Sequence, residues 1–197
     1  MNRAADLLKG TTLASSVTAR MLAREPDSLA ARTLKLWGDD ENPFKRLIIS
    51  KSADARLWRE TMALILRNLR PASRLGTVWR GWYYICDRAR NRVMGDLEES
   101  RSFTNFRVGM SATRSRDIAC RPAFLNEHGA LWEIRCPKSA RDLEPIFRAI
   151  GAKYPEQREL IFPRGTRLAL CGNPGWKAVR RNGQTLKVRH YVLEEVK

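Results

Sequence analysis

A glutamate at the mouth of a short apolar run is the residue in this sequence best placed to do chemistry. Glu159 leads directly into Leu160-Ile161-Phe162, which Pro163-Arg164-Gly165 closes; a continuous apolar run ended by a turn signal reads as a brief buried strand. A carboxylate mounted there is fixed by a sheet on one side, while the loop before it stays open to a partner. Gln157 stands two residues earlier and Tyr154 opens the loop. Extended backbone reaching back to Gln157 would put both polar side chains on one face.

Two further stretches upstream carry groups of matching chemistry. In Val78-Trp79-Arg80-Gly81, a strand-forming pair precedes a guanidinium whose planar donors suit phosphate oxygens. Gly81 leaves room for a flat ring to approach the backbone. In Gly109-Met110-Ser111-Ala112-Thr113, the hydroxyls of Ser111 and Thr113 fall on one strand face, where they can orient a carboxylate.

Together, in this order and spacing across residues 77–170, the three stretches resemble the mono-ADP-ribosyltransferases of the Arg-Ser-Glu class. In that family an Arg on a strand start is followed by a Ser-Thr-Ser strand, then by a Gln-x-Glu or Glu-x-Glu pair before an apolar strand and a Pro-x-Gly turn. This chain writes Ser-Ala-Thr where the family writes Ser-Thr-Ser, a departure that touches Thr113 more than Ser111. The resemblance implies NAD+ as substrate, and a reaction in which positive charge grows on the ribose as nicotinamide leaves, much as in glycoside hydrolysis.

Under that resemblance, Glu159, Gln157, Ser111 and Arg80 form the catalytic set. Arg80, Gly81, Ser111, Thr113 and Phe124 bind NAD+, with Phe106 a second aromatic candidate for stacking on nicotinamide; Tyr154 and Gln157 meet the acceptor. Glu at the position of Gln157 accompanies arginine acceptors in the family. Gln accompanies acceptors presenting an amide or a nucleobase, which a neutral donor and acceptor group can read bidentately.

The elements that must position these groups change character along the chain. Before Pro71 the apolar spacing is helical, with helices expected over 3–24 (kinked or divided at Gly10), 29–37, and from Ser52 or Asp54 to Pro71. From Thr77 the residues favour strands, expected over 77–86, 103–113, 131–136, 159–162, 166–171, 176–180 and 186–194, with Asn182-Gly183 as a hairpin turn. Residues 87–102 read as loop or a short helix, and 114–124 and 143–150 as short helices. Helices first and strands later imply α+β. The expected organisation is an N-terminal helical region, 1–76, packed on a split mixed β-sheet core of the ADP-ribosyltransferase type, 77–197, in one compact unit.

Composition narrows the partners. Lys+Arg 37 against Asp+Glu 21 gives a net charge of +16, which favours an anionic macromolecule, RNA or DNA or a protein bound to it, and speeds encounter with it. No apolar run is long enough to span a membrane. The N-terminal residues lack the apolar centre of a signal peptide, so the expected site of action is cytoplasmic, of the producing or a target cell. The resemblance leaves room for an inhibitor or antitoxin protein. Four widely spaced cysteines without a C-x-x-C pair, and two isolated histidines, argue for reduced, buried or semi-buried thiols and against zinc. No G-x-G-x-x-G or G-x-x-x-x-G-K-[ST] motif occurs.

The leading expectation is thus transfer of one ADP-ribose to a macromolecule, nucleic acid slightly ahead of protein. Protein arginine or asparagine modification, NAD+ hydrolysis and a non-catalytic basic nucleic-acid-binding module are the alternatives.

Overall fold

The computed structural model describes residues 12–39, 52–73, 75–105, 109–181 and 183–196. The fold is α+β: six α-helices and a mixed β-sheet among the described residues. The chain forms two compact units that interleave in sequence. None of the described helices is long and apolar enough to cross a membrane.

The first unit takes in residues up to Ala72, Phe106–Met110 and Ser139–Arg164. Its helices are α1 (Ser15–Arg24), α2 (Leu29–Gly38) and α3 (Ala53–Asn68). Ser28 and Ser52 start α2 and α3 by accepting from the amides of Ala31 and Ala55, 3.2 Å each, which satisfies a donor that a helix N-terminus leaves open. The expected helix before Gly10 lies outside the described residues. Leu22, Leu34, Trp37, Met62, Ile65, Leu66, Phe147 and Ile161 are buried together. The sequence spacing of apolar residues on three helices thus becomes one core.

The second unit comprises Ser73–Asn105, Ser111–Lys138 and Gly165–Lys197. Its strands are β1 (Thr77–Trp82), β2 (Ser102–Thr104), β4 (Ala130–Arg135), β7 (Arg167–Leu170), β8 (Gly175–Arg181) and β9 (Gln184–Val196). Strand β3 (Gly109–Thr113) belongs to both units, passing from the first to the second between Met110 and Ser111. β4 runs antiparallel to β1 and parallel to β9, which makes the sheet mixed. Ala130, Leu131, Trp132 and Ile134 are all buried, the near-continuous burial of a strand covered on both faces. Along β9, residues 184–190 pair with β8 and 193–196 with β7, while 189–194 pair with β4. β8 and β7 therefore succeed one another along the edge of β9 opposite β4. β8 and β9 form the expected hairpin, with Gly183 at a positive φ and Asn182 outside the described residues, and β9 extends further at both ends than the 186–194 read from sequence.

Five expectations need correcting. Residues 87–100 form a fourteen-residue helix, α4 (Asp87–Ser100), not a loop or short helix. Its buried residues Arg90, Met94 and Leu97 fall at helical spacing, but the surrounding charge dilutes the pattern. β1 ends at Trp82 instead of Cys86, and the expected 103–113 strand is two strands, β2 and β3. The helix expected over 114–124 is only α5 (Arg116–Ala119). Cys86 and Cys136 are exposed, not buried or half-buried.

A polar cluster lies within the second unit. Glu133 Oε2 is 3.2 Å from His190 Nε2 and 3.4 Å from Lys177 Nζ, and its Oε1 accepts from Arg135 Nε at 3.1 Å. Burial raises the Glu133 carboxyl, but the Arg135 hydrogen bond and the charges of Lys177 and His190 outweigh it and hold the group low. Burial, with the Lys177 ammonium, pushes the His190 imidazole below its ordinary range against the pull of Glu133. The folded chain therefore binds this proton less readily than the unfolded chain. The resulting stability is fully present above the ordinary imidazole range and is lost as pH falls through the folded value. The melting temperature should fall between about pH 7.5 and 5.5, the window of imidazole titration, and fall less in His190→Gln. Parallel slopes for the two proteins would remove His190 from this role.

Candidate functional site

The sequence-predicted site residues lie in the two units as two sets. Arg80, Gly81, Ser111, Thr113 and Phe124 are in the second; Tyr154, Gln157 and Glu159 are in the first.

In the second unit, Arg80 lies in the middle of β1, not at its start, paired with Trp132 of β4. β3 joins the other edge of β1 through Trp79 and Thr113. The Arg80 guanidinium donates to the Ser111 carbonyl and its Cζ lies 4.0 Å from the centroid of the Trp82 ring. A backbone carbonyl and an aromatic face thus hold a planar cation on the strand. Trp82 in turn packs on Trp132, centroids 5.0 Å apart, and Phe103 meets Trp132 edge-on at 5.1 Å. The indole under the guanidinium is therefore itself fixed.

Gly81 is required here by close approach. A Cβ at this position would lie 2.1 Å from the Ala119 carbonyl oxygen and 2.8 Å from that of Phe124, well inside van der Waals contact. The side of Gly81 that a side chain would take is filled by the chain's own backbone rather than left open to a ring. The same contact brings Phe124 beside the Arg80 strand. Thr113 is buried, and its hydroxyl accepts from the Ser115 amide at 3.1 Å. Ser115 then caps α5 by accepting from Ile118 N at 3.4 Å. Thr113 thus shapes the turn after β3, whereas Ser111 is half-buried. Phe106 lies outside the described residues.

In the first unit, β5 (Arg141–Asp142), α6 (Glu144–Ala149) and a 3-10 turn (Pro155–Gln157) lead to β6 (Glu159–Pro163). β6 begins at Glu159, as its apolar run implies. The carboxylate is buried, and Oε1 accepts from the Trp37 indole Nε1 at 2.8 Å. Its backbone carbonyl accepts from Leu143 N at 3.0 Å. Trp37 is the residue that sequence reading missed. It lies 122 positions away, and an aromatic on the apolar face of an amphipathic helix reads only as core.

The extended backbone expected from Gln157 to Glu159 is absent. Gln157 ends the 3-10 turn, and Arg158 takes a left-handed conformation at φ 50°. The two side chains therefore do not share a strand face, because the pleat starts only at Glu159. A non-glycine residue in this region costs about 1 kcal/mol or more, and such residues collect at functional loops. The loop is tied to the end of α2. Lys35 Nζ bonds Asp39 Oδ2 at 2.9 Å and the Gly151 carbonyl at 3.0 Å, and the Lys153 amide donates to Asp39 Oδ1 at 2.6 Å. Lys153 Nζ lies 5.1 Å from the Tyr154 ring centroid. One helix end thus fixes both the loop before β6 and the carboxylate.

The Trp37–Glu159 bond yields an expectation about stability. Trp37→Phe keeps an aromatic ring in the core but removes the indole N–H from a buried carboxylate, a loss of about 2 kcal/mol for a hydrogen bond to a charged group. In a denaturant-based double-mutant cycle this cost should shrink markedly in a Glu159→Ala background. Additive costs would mean that the indole acts only by packing.

No protein-family model matches the chain, and no curated protein matches its sequence. Solved structures do match. Exoenzyme S from Pseudomonas aeruginosa, seen with human 14-3-3 protein beta and bound to carba-NAD, aligns at TM-score 0.58 and 14% identity, over 92% of this chain and 82% of that one. The ADP-ribosyltransferase Vis, from Vibrio splendidus, aligns at 0.57 and 14% over 93% and 84%, and a structure of it holds agmatine. Plx2a, an ADP-ribosyltransferase toxin from Paenibacillus larvae, aligns at 0.55 and 15% over 95% and 99%. With an α+β build of helices and mixed β-structure, the chain carries the fold of the bacterial ADP-ribosyltransferases.

Proposed function

We propose that this chain is an NAD+-dependent mono-ADP-ribosyltransferase that moves one ADP-ribose from NAD+ to a macromolecular acceptor. The observation that carries the reading is Glu159: a buried carboxylate on the first residue of a strand, its direction set by the Trp37 indole, in a fold shared with enzymes of this reaction. The carba-NAD bound to exoenzyme S supports NAD+ as the substrate.

The chemistry follows from the residues. The bond between the ribose C1′ and the nicotinamide nitrogen breaks, its electron pair neutralising the ring nitrogen, while positive charge develops on the ribose. Glu159 accepts from the ribose 2′-hydroxyl and lies against that charge, stabilising it most when it is largest. Arg80, held flat on Trp82, takes the pyrophosphate through paired donors. Ser111 and Thr113 belong to the strand that carries the Arg80 acceptor carbonyl, and of the two the half-buried Ser111 is the one to touch the nicotinamide ribose. The acceptor's lone pair then forms the new bond to C1′, and its proton passes to solvent, since an amide at Gln157 cannot take it.

For the acceptor, the +16 charge and the neutral amide of Gln157 favour nucleic acid, or a protein bound to it, met in the cytoplasm of the producing or a target cell. Tyr154 at the front of the loop would stack on a base. The second reading is a guanidinium acceptor on protein, supported by the agmatine held by Vis and by the protein partner of exoenzyme S.

Labelled NAD+ offered with RNA, DNA and a cell lysate tests the proposal. Glu159→Ala should lower transfer at least about a hundredfold while leaving NAD+ affinity nearly unchanged, as for other groups acting on developing charge. Arg80→Lys should instead weaken NAD+ binding in a calorimetric titration, because an ammonium loses the planar donor set. Retention of half the activity in the first variant, or unchanged affinity in the second, would remove the residue from its role. Gln157→Ala should cut transfer to the macromolecule far more than slow NAD+ hydrolysis; equal losses in both would make Gln157 part of bond cleavage. Label entering protein alone under every condition would overturn the nucleic-acid reading in favour of a protein acceptor.

A further inference from the structure

The β8–β9 hairpin of the second unit carries a feature that the transfer chemistry does not use. Trp176 is 52% exposed on β8, an unusual place for an indole. Three cations surround its ring: Lys187 Nζ at 5.5 Å, and Arg90 Cζ and Arg189 Cζ at 5.6 Å each from the centroid. Register explains the grouping. Trp176 pairs with Arg189, Ala178 with Lys187 and Arg180 with Thr185, so these six side chains share one face of the hairpin. Along β8 that face is exposed at Trp176, Ala178 and Arg180, whereas Val179 on the other face is buried in the core. Small residues thus floor the strip between the indole and Arg180.

Beside the indole opens a cleft of about 460 Å³, lined by Asp87, Arg90, Glu127, His128, Trp176 and Lys187. Its charges are sorted. Asp87 is paired with Arg90 at 2.9 Å and with His128 at 3.0 Å, and Arg189 leans on Glu98 at 3.2 Å. Carboxylates at the cleft repel phosphate but accept from the exocyclic amino groups of bases. The cations Arg180 and Lys187 lie out along the hairpin, where a phosphate backbone would run. An exposed aromatic face flanked by a basic track is the arrangement that binds single strands with little sequence preference.

We propose that Trp176, Lys187 and Arg180 form a docking platform for single-stranded nucleic acid, with a base stacked on the Trp176 indole and phosphates over Lys187 and Arg180. This rests on the reading of nucleic acid as acceptor. It names a surface that holds the strand apart from the residues that break the nicotinamide bond.

The test is fluorescence anisotropy of labelled oligocytidine and oligodeoxycytidine of about 12 nucleotides, a length within the span of single-strand sites, with no NAD+ present. Wild type should bind with a log–log salt slope of about −0.7 per phosphate contact. Trp176→Ala should weaken binding about tenfold with an unchanged slope, since stacking is worth about 1–3 kcal/mol per base, and Trp176→Phe should restore most of it. Lys187→Gln should flatten the slope by about 0.7. NAD+ hydrolysis should be unchanged in all three variants, so failure of the platform is separable from failure of the transferase reading. Absent oligonucleotide binding, or equal binding by Trp176→Ala, would overturn the proposal. So would tighter binding of polyglutamate, which would assign the face to an acidic protein, or an equal loss of heparin binding in Trp176→Ala, which would make the indole's effect one of charge placement.

Discussion

A carboxylate can serve a developing cation only if it is held still and kept from water, and here one hydrogen bond does much of that holding. The Trp37 indole donates to Glu159 at 2.8 Å in a buried setting. Burying a charge is costly unless it is paired with donors, so α2 and the start of β6 are tied through that cost. The packing around Trp37 serves the same end. Gly38 is so close to Ala152 and Phe147 that a Cβ there would meet them at 3.0 and 3.1 Å, and Asp39 and Lys35 anchor the segment leading to the loop. The N-terminal helices are thus the wall that orients the carboxylate.

The parts of this arrangement that were legible in the sequence are those set by local pattern. The apolar run after Glu159 gives β6, the turn signal ending at Gly183 marks the β8–β9 hairpin, and the Val78-Trp79 pair gives β1. Local pattern failed where a residue's partner is remote or where charge masks period. α4 was hidden because only Arg90, Met94 and Leu97 turn inward from a strongly charged segment. Trp37 was hidden because a hydrogen bond spanning 122 residues leaves no local trace. The expected common face of Gln157 and Glu159 failed for a subtler reason. Two-residue spacing implies a shared face only in extended chain, and Arg158 at φ 50° breaks the extension where the motif needed it.

That break also gives the loop a division of labour. Glu159 belongs to the sheet and inherits its rigidity; Gln157 belongs to a 3-10 turn whose closing bonds are the amides of Gln157 and Arg158 to the carbonyls of Tyr154 and Pro155, at 3.1 and 3.3 Å. Gln157 and Glu159, to which the proposed function gives acceptor reading and bond breaking, are therefore two positions apart in sequence but mechanically separate, and adjusting one does not require moving the other.

The pairing of β9 has an evolutionary consequence. Among the described strands its residues 184–188 pair only with β8, while 189–194 pair with β4. The outer end of the hairpin is consequently a two-stranded ribbon, seated on the core through Val179, Leu186 and Val188 and exposed on its other face, and such tips accept insertion and exchange readily. With the docking role proposed for this hairpin, a lineage carrying this fold can lengthen, shorten or recharge the ribbon and so change the macromolecule it meets, while the Arg80 strand and its aromatic support stay as they are. Target range is, on that proposal, a peripheral trait grafted onto an inherited fold.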